Sequence, residues 1–347
     1  VGFENIKLGP ETGHGEIYHD LQKYIKSLIA NGIVLSVASK NDERIAKNGF
    51  KNKFSILKFD DFVNFKANWE RKSDNILNII NDLNLTEESV VFIDDNPAEI
   101  DEVKNILPLV TTISYKKSPL ELITTIERLG YFNKLQITSD DLKRNKFYKD
   151  NIVRSSESKS FSNYEEYLIN LKMTAKIEKL NISTFARASQ LLNKTNQFNL
   201  TQEKNDTENL KNLSKSKNNL LIQSNLKDKY GDNGIISVLY GFKKNKDFYI
   251  QNWVLSCRVF KRNLEFAIID YLTDFCLKNN INRIKVTLIK NEKNLYIYKL
   301  FDTLKFNLIE KDKNIVKYAK NINIENIKNK LNSHIVIIKW KIIKLYQ

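Results

Sequence analysis

The sequence predicts an α/β fold that begins with a doubly wound parallel sheet and continues as an α+β domain built on an antiparallel sheet. In the first half, short apolar runs alternate with amphipathic stretches of helical period, which is typical of parallel strands covered by helices. In the second half, three β-rich runs follow one another across short turns, which indicates an antiparallel meander. A length of 347 residues accommodates two such domains.

The elements of the first half are predicted from hydrophobic periodicity and from helix caps. In order they are a helix over 16–29, strand 33–38, helix 42–48, strand 54–59, helix 73–85, strand 90–93, helix 97–106, strand 110–113 and a helix after Ser118-Pro119. Gly32 and Gly130 end the first and the last of these helices, because glycine tolerates the left-handed cap conformation.

Two adjacent carboxylates, Asp94 and Asp95, follow the apolar strand 90–93, and Pro97 opens the next helix. Open parallel sheets bind ligands at the carboxyl ends of their strands. Adjacent carboxylates repel each other there unless a cation or a proton lies between them, and hard oxygen ligands favour Mg²⁺. A magnesium site is one interpretation of this pair, and a simple cap of the following helix is the other.

A second strand end adds groups that suit phosphate. Ser39, Lys40 and Asn41 follow the first predicted strand, and Lys72 precedes a predicted helix. A hydroxyl and an ammonium group can hold phosphoryl oxygens while Mg²⁺ offsets their charge, so the set suits phosphoryl transfer. Considered alone, Ser39 could be a structural turn residue and Lys72 a solvated surface charge. Their order along the chain favours a site.

The second half is predicted to begin after a charged helix over 139–150 and a polar linker over 154–160. The order of its elements is helices over 163–171 and 183–193, strands over 220–224, 234–242 and 248–255, helix 262–278, strand 283–289, helix 294–303 and strand 306–309.

The composition limits the possible partners. The net charge is +15, but only nine of the 56 basic residues are Arg, and the lysines are spread along the chain. Because base recognition relies on Arg, we attribute the charge to a biased coding background and predict no nucleic-acid binding. Two cysteines fit a reducing cytoplasm, and we expect neither a signal peptide nor a membrane span. The three histidines are assigned no catalytic role.

The order Ser39, Lys72, Asp94-Asp95 resembles motifs two, three and four of the haloacid dehalogenase (HAD) phosphohydrolase superfamily. Several blocks resemble, more narrowly, the FkbH-like branch in HAD subfamily IIIC. These blocks are Asn5-Ile6-Lys7-Leu8-Gly9-Pro10-Glu11, Ser39-Lys40-Asn41-Asp42, Asn68-Trp69 with Lys72, 92–97 and 129–132.

The resemblance implies a role for each matching residue. Ser39 and Lys72 would hold the phosphoryl group, and Asp94 and Asp95 would bind Mg²⁺. Further contacts to the substrate are expected from Lys40, Asn41 and Asn96.

The first motif of that family, an Asp-x-Asp-x-Thr strand end, supplies the nucleophile and the general acid/base. It would lie upstream of Gly2, and neither Asp is present in this sequence. We therefore expect the chain to be truncated before this motif and assign the enzymatic activity to the parent protein. A chain that begins at Val1 could not form the aspartyl-phosphate by that route.

The second half resembles the Gcn5-related N-acetyltransferase (GNAT) fold, which FkbH-like proteins contain after the phosphatase-like domain. The matching blocks are 193–201, 230–234 and 253–259. In this fold a glycine-containing loop lets backbone N–H groups reach the coenzyme A pyrophosphate at a helix N-terminus. The corresponding segment, 259–265, contains no glycine, so acetyl-CoA is not a predicted cofactor.

The FkbH-like resemblance also implies a reaction. A three-carbon glyceryl unit would be taken from 1,3-bisphosphoglycerate, dephosphorylated and passed to the thiol of an acyl carrier protein. Cys257 would hold the acyl group, with Arg258 favouring the thiolate and contacting the substrate, whereas the alternative for Cys257 is a small buried hydrophobe. Rival functions are a phosphatase of sugar or acyl phosphates in polysaccharide or lipid biosynthesis, and a non-catalytic module that binds a carrier protein.

These expectations divide the chain into four parts. They are a HAD-like domain over 1–135, a connecting helix and linker over 136–160, a GNAT-like domain over 161–312 and a basic tail over 313–347. The apolar end of the tail, 335–343, is expected to add one packed element.

Overall fold

The protein is described by a computed structural model over residues 8–9, 12–115, 118–133, 137–323, 331 and 334–338. The chain divides into two compact units, Val1–Ser155 and Ser156–Gln347. None of the helices in the described ranges combines the length and the apolar character that a membrane span needs. The block 5–7 and the tail beyond residue 338 lie outside the described residues.

The first unit alternates helices and strands, as the periodicity predicts. Its elements are α1 (Gly13–Ala30), β1 (Leu35–Lys40), α2 (Glu43–Gly49), β2 (Phe62–Asn68), α3 (Lys72–Asp82), β3 (Val91–Asp94), α4 (Pro97–Ile106), β4 (Thr111–Ser114), α5 (Pro119–Leu129), α6 (Ser139–Leu142) and α7 (Arg144–Ser158). The side chains of Asp42, Asn96 and Ser118 cap α2, α4 and α5 by accepting backbone N–H groups. Gly130 ends α5 at a φ of 65°.

The four strands of this unit form two parallel pairs, β1 with β2 and β3 with β4. Within the described ranges no hydrogen-bonded ladder joins β1 to β3, although Ala38 of β1 and Phe92 of β3 pack into the same apolar cluster against α3 and α4. The residues of β1 are half-buried apart from exposed Lys40, and they include the apolar Leu35, Val37 and Ala38. The parallel pairing within each pair agrees with the predicted parallel sheet.

Two local predictions for this unit are wrong. The strand expected over 54–59 lies instead at Phe62–Asn68, because the N–H groups of Ile56 and Leu57 donate to the side chain of Gln22 and not to a neighbouring strand. The polar linker expected over 154–160 is helical in its first part, since α7 continues to Ser158.

The second unit is built on one larger sheet. Its elements are α8 (Tyr164–Asn170), β5 (Thr174–Lys179), α9 (Phe185–Lys194), α10 (Thr207–Ser214), β6 (Asn219–Asp228), β7 (Gly231–Lys244), β8 (Asp247–Leu255), α11 (Leu264–Lys278), β9 (Arg283–Ile289), α12 (Leu295–Thr303), β10 (Asn307–Asp312), β11 (Ile315–Asn321) and β12 (Val336–Ile338).

The sheet has the strand order β10-β11-β9-β8-β7-β6-β5-β12. The predicted antiparallel meander is β6-β7-β8, whereas β8–β9 and β5–β12 are parallel pairs. The sequence did not predict β5, α10 or β11, and the turn expected at 231–234 lies within β7. Because β11 and β12 belong to the sheet, the stretch expected as a tail after residue 312 contributes strands to it.

Two apolar clusters lie in the second unit, a large one that includes the inward faces of α11 and α12 and a smaller one that includes residues of α9, β6 and β7. Trp253, Phe248 and Phe198 are fully buried in the large cluster. The first unit has smaller apolar clusters, each of which contains four to seven buried residues. The second unit therefore has the stronger hydrophobic core.

Candidate active site

An ion pair between Lys72 and Asp94 lies at the carboxyl end of β3. Lys72 is the first residue of α3, and its Nζ lies 2.5 Å from Oδ2 of Asp94, with both side chains largely buried. The other oxygen of Asp94, Oδ1, accepts the N–H of Asn96 at 2.9 Å. The structure thus brings together two of the predicted site residues that are 22 positions apart.

The two residues that follow Asp94 have different environments. Asp95 is exposed. The Asn96 side chain accepts the N–H of Ala98 at 3.0 Å and caps α4. Asn96, and not the acidic pair, therefore caps α4. The carboxylate of Asp94 forms an ion pair with Lys72 instead.

The end of β1 meets the first turn of α4. Nζ of Lys40 lies 2.7 Å from Oε1 of Glu99, a mostly buried carboxylate. This hydrogen bond is the main reason that the pKa of Lys40 lies above its usual value, and the negative charges of Glu102 and Asp94 add to it. Lys40 is thus held by Glu99 and lies within electrostatic range of Asp94.

Ser39 and Asn41 flank Lys40 and are both half-buried. Ser39 is paired in register with Ala67 of β2. Ser39 therefore lies at the carboxyl end of the β1–β2 pair. Their roles at a phosphate remain predictions.

Sequence reasoning missed three residues around this end of the strands. Glu99 holds Lys40, and Glu102 accepts a 2.6 Å hydrogen bond from the hydroxyl of Ser73, which is the main cause of its lowered pKa. Tyr115 follows β4, and burial, followed by the charge of Asp95, raises its pKa to about 12. The spacing of Glu99 and Glu102, three apart on one helical face, was the available signal.

Cys257 and Arg258 belong to the second unit, where they follow β8 in a short helical turn, Cys257–Val259. Cys257 is half-buried, and Nε of Arg258 donates to Oγ of Ser256 at 3.2 Å. Cys276, by contrast, is fully buried, and burial raises the pKa of its thiol to about 12. Cys276 is therefore a core residue, as predicted, whereas the catalytic role of Cys257 remains a prediction.

The donor set at β3 fits one side of a magnesium site. Asp94 and Asp95 offer hard oxygen ligands, and Mg²⁺ commonly takes one or two protein carboxylates and keeps several waters. An ionised carboxylate has about four lone-pair positions, so Asp94 retains acceptor capacity beyond Lys72 and Asn96. Within the described residues no group of three or more His, Cys, Asp or Glu side chains could hold a metal. Further ligands would have to come from water, the substrate or another segment.

Comparison with known protein families supports the fold of the first unit. The haloacid dehalogenase-like hydrolase family matches residues 6–107. The N-terminal part of a Bacteroides fragilis protein, which contains a phosphatase domain and was solved in complex with Mg, is 38% identical. That match covers 39% of this chain and 35% of the other, with a TM-score of 0.35. The present chain therefore spans about a third of that relative.

Two solved acetyltransferases are similar to part of the chain. The ribosomal-protein-S18-alanine N-acetyltransferase of Escherichia coli is 13% identical, covers 44% of this chain and 96% of its own, and has a TM-score of 0.35. A Vibrio cholerae spermidine N-acetyltransferase, solved with CoA and spermine, is 9% identical with 45% and 99% coverage and a TM-score of 0.34. No functionally curated protein matches the chain. The predicted fold class is confirmed as mixed α/β, with an N-terminal part that matches HAD-like hydrolases over residues 6–107 and a second unit built on a mainly antiparallel sheet.

Proposed function

We propose that the first unit is the phosphate-handling part of a Mg²⁺-dependent HAD-type phosphatase. The observation that supports this most directly is the 2.5 Å ion pair between Lys72 and Asp94 at the carboxyl end of a parallel strand. The match of residues 6–107 to HAD-like hydrolases and the Mg-bound phosphatase relative agree with it.

Each residue of the site would have a definite task. The Lys72 ammonium would hold a phosphoryl oxygen while it fixes the orientation of Asp94, and the hydroxyl of Ser39 would donate to a second phosphoryl oxygen. Asp94 and Asp95 would hold Mg²⁺, which when bound offsets the charge of the phosphoryl group. Glu99 would keep the Lys40 ammonium in place at the end of β1.

The nucleophile would come from an aspartate strand inserted between β1 and β3. Such a strand would find hydrogen-bonding partners on both sides, because within the described ranges β1 pairs with β2 alone and β3 with β4 alone. It would also cover β1, whose residues are now only half-buried. The parent protein would supply this strand upstream of Val1.

The finer proposal concerns the substrate. In the first step, the thiolate of Cys257 attacks the carbonyl carbon of 1,3-bisphosphoglycerate, a thioester bond forms, and the acyl–oxygen bond breaks to release phosphate. The remaining phosphate ester is hydrolysed by water at the HAD-type site. The thiolate of an acyl carrier protein then takes the glyceryl group and releases Cys257.

The test is an assay of phosphate release and of carrier-protein mass with 1,3-bisphosphoglycerate, using the protein extended upstream by its native sequence. We expect Asp94→Asn to lower phosphate-ester hydrolysis by roughly 10²–10³-fold, whereas Asp101→Asn, an exposed carboxylate on α4, leaves it unchanged. Hydrolysis that survives Asp94→Asn would contradict the site. Hydrolysis of sugar phosphates without any gain in carrier mass would favour the simpler phosphatase.

A further inference from the structure

The parallel strands β8 and β9 separate after a short stretch of pairing. Their ladder joins 247–250 to 283–286, and the two strands are not paired with each other beyond these positions in the described structure. Diverging strands present backbone N–H and C=O groups to the gap between them. An extended chain with amide groups, such as the pantetheine arm of coenzyme A or of a carrier protein, would be a suitable occupant.

The gap is filled by a segment of the same chain, Phe198, Asn199 and Leu200, which we term the plug. The N–H of Leu255 donates to the carbonyl of Phe198 at 3.1 Å, and the N–H of Leu200 donates to the carbonyl of Trp253 at 3.2 Å. On the other side, the N–H of Ile289 donates to the carbonyl of Leu200 at 2.9 Å. The plug therefore uses backbone groups of both strands.

Buried side chains anchor the plug. The Asn199 amide donates to the carbonyls of Leu192 and Thr195 at 3.3 and 3.0 Å, and its oxygen accepts the N–H of Gln202 at 3.0 Å. Asn294, which is fully buried, donates to the carbonyl of Asn199 at 3.3 Å. The side chains of Phe198 and Leu200 are themselves fully buried in the large apolar cluster.

The start of α11 is equally unsuited to a pyrophosphate. Lys261 and Asn263 adopt left-handed backbone conformations, with φ of 63° and 60°, so side chains stand where glycine would leave room for phosphate oxygens. The guanidinium of Arg262 is buried and lies 3.2 Å from Asp228. Glu265 places a buried carboxylate in the first turn of the helix. These residues do not fit coenzyme A.

We propose that the plug is a permanent strand of the second unit, and that it excludes the pantetheine arm of coenzyme A and of a carrier protein from the gap between β8 and β9. The second unit's sheet would then serve as a scaffold, and in any acyl transfer at Cys257 neither the donor nor the arm of the carrier-protein acceptor would lie in the gap between β8 and β9. The inference rests on the second unit alone and is independent of the proposed phosphatase site.

Hydrogen exchange of the whole chain tests this proposal, with coenzyme A and pantetheine as separate probes. We expect the amides of Leu200, Leu255 and Ile289 to exchange as slowly as those in the middle of β7, and neither probe to change them. Faster exchange at Leu200 in the presence of either probe, or an increase in melting temperature with coenzyme A, would overturn the proposal.

Two variants test whether the side chain of Asn199 anchors the plug. Asn199→Ala removes three anchoring hydrogen bonds and should speed exchange at Leu200 and Leu255 by roughly tenfold. Asn196→Ala changes an exposed neighbour and should leave both amides as in the wild-type protein. Exchange at β10–β11 reports whether either variant has lost its global fold. Equal exchange at the plug in the wild-type protein and in a folded Asn199→Ala variant would also contradict the anchoring.

Discussion

Each unit of this protein has a gap between two strands, and within the described residues only the gap in the second unit is filled by a segment of the chain. In the first unit, β1 and β3 share a cluster with α3 and α4 but no ladder within the described residues, and β1 is half-buried. In the second unit, the gap between β8 and β9 is occupied by the buried plug. A strand edge that remains available can receive a functional segment, whereas a filled one adds stability and closes a site.

The largest expected effect is a loss of phosphate release in the first unit, whose gap lies between β1 and β3. Lys72→Met removes the ammonium group that lies 2.5 Å from Asp94, so a phosphoryl group would lose its main cationic contact. We expect a loss of roughly 10²–10³-fold in phosphate release by the upstream-extended protein. Lys104→Met, an exposed lysine on α4, is the matched control. Equal losses in both variants would break the assignment.

The next effect is on the stability of the second unit. Arg262→Met removes the guanidinium that lies 3.2 Å from the buried carboxylate of Asp228, and we expect the free energy of unfolding to fall by about 3–5 kcal/mol. Lys317→Met breaks the exposed pair with Glu310, whose side chains are 47% and 54% exposed, and should cost about 0–1 kcal/mol. Urea titration measures both. Equal costs would mean that the Asp228 pair is solvated.

A smaller stability effect is expected from the plug. Asn199→Ala deletes hydrogen bonds from a fully buried amide to three backbone groups, which should lower the free energy of unfolding by about 1–3 kcal/mol. Asn196→Ala should stay within about 0.5 kcal/mol of the wild-type protein. A plug variant as stable as this control would contradict a permanent strand.

The smallest effect is a pH dependence. Burial raises the pKa of Glu265 above its ordinary value of 4.5. Because the folded protein holds this proton more tightly than the unfolded chain, its stabilisation is full below pH 4.5 and is lost as the pH rises toward the folded pKa. Glu265→Gln has no such proton, so its free energy of unfolding should not show this decline. Identical profiles in urea titrations across this pH range would show that Glu265 does not contribute.

The sequence was informative where local chemistry decides the structure. Ser118-Pro119 and Gly130 predicted the start and the end of α5, and β9 has the predicted bounds of 283–289. The strand at 54–59 was misplaced because a side chain distant in sequence, that of Gln22, takes the hydrogen bonds of that stretch.

Long-range pairing was the part that the sequence could not predict. The order of Lys72 and Asp94 indicated a shared site, but nothing local revealed that Glu99 would hold Lys40. The block that contains Asn199 was noted for its resemblance, yet its position between β8 and β9 depends on strands that lie more than 50 residues further along the chain.

One measurement tests the contrast between the two gaps most directly: hydrogen exchange of this chain compared with the same chain extended upstream by its native sequence. We predict slower exchange in β1 and β3 of the extended protein, unchanged exchange at the plug, and the appearance of phosphate release. Unchanged exchange in β1 and β3, with no phosphate release, would contradict the account.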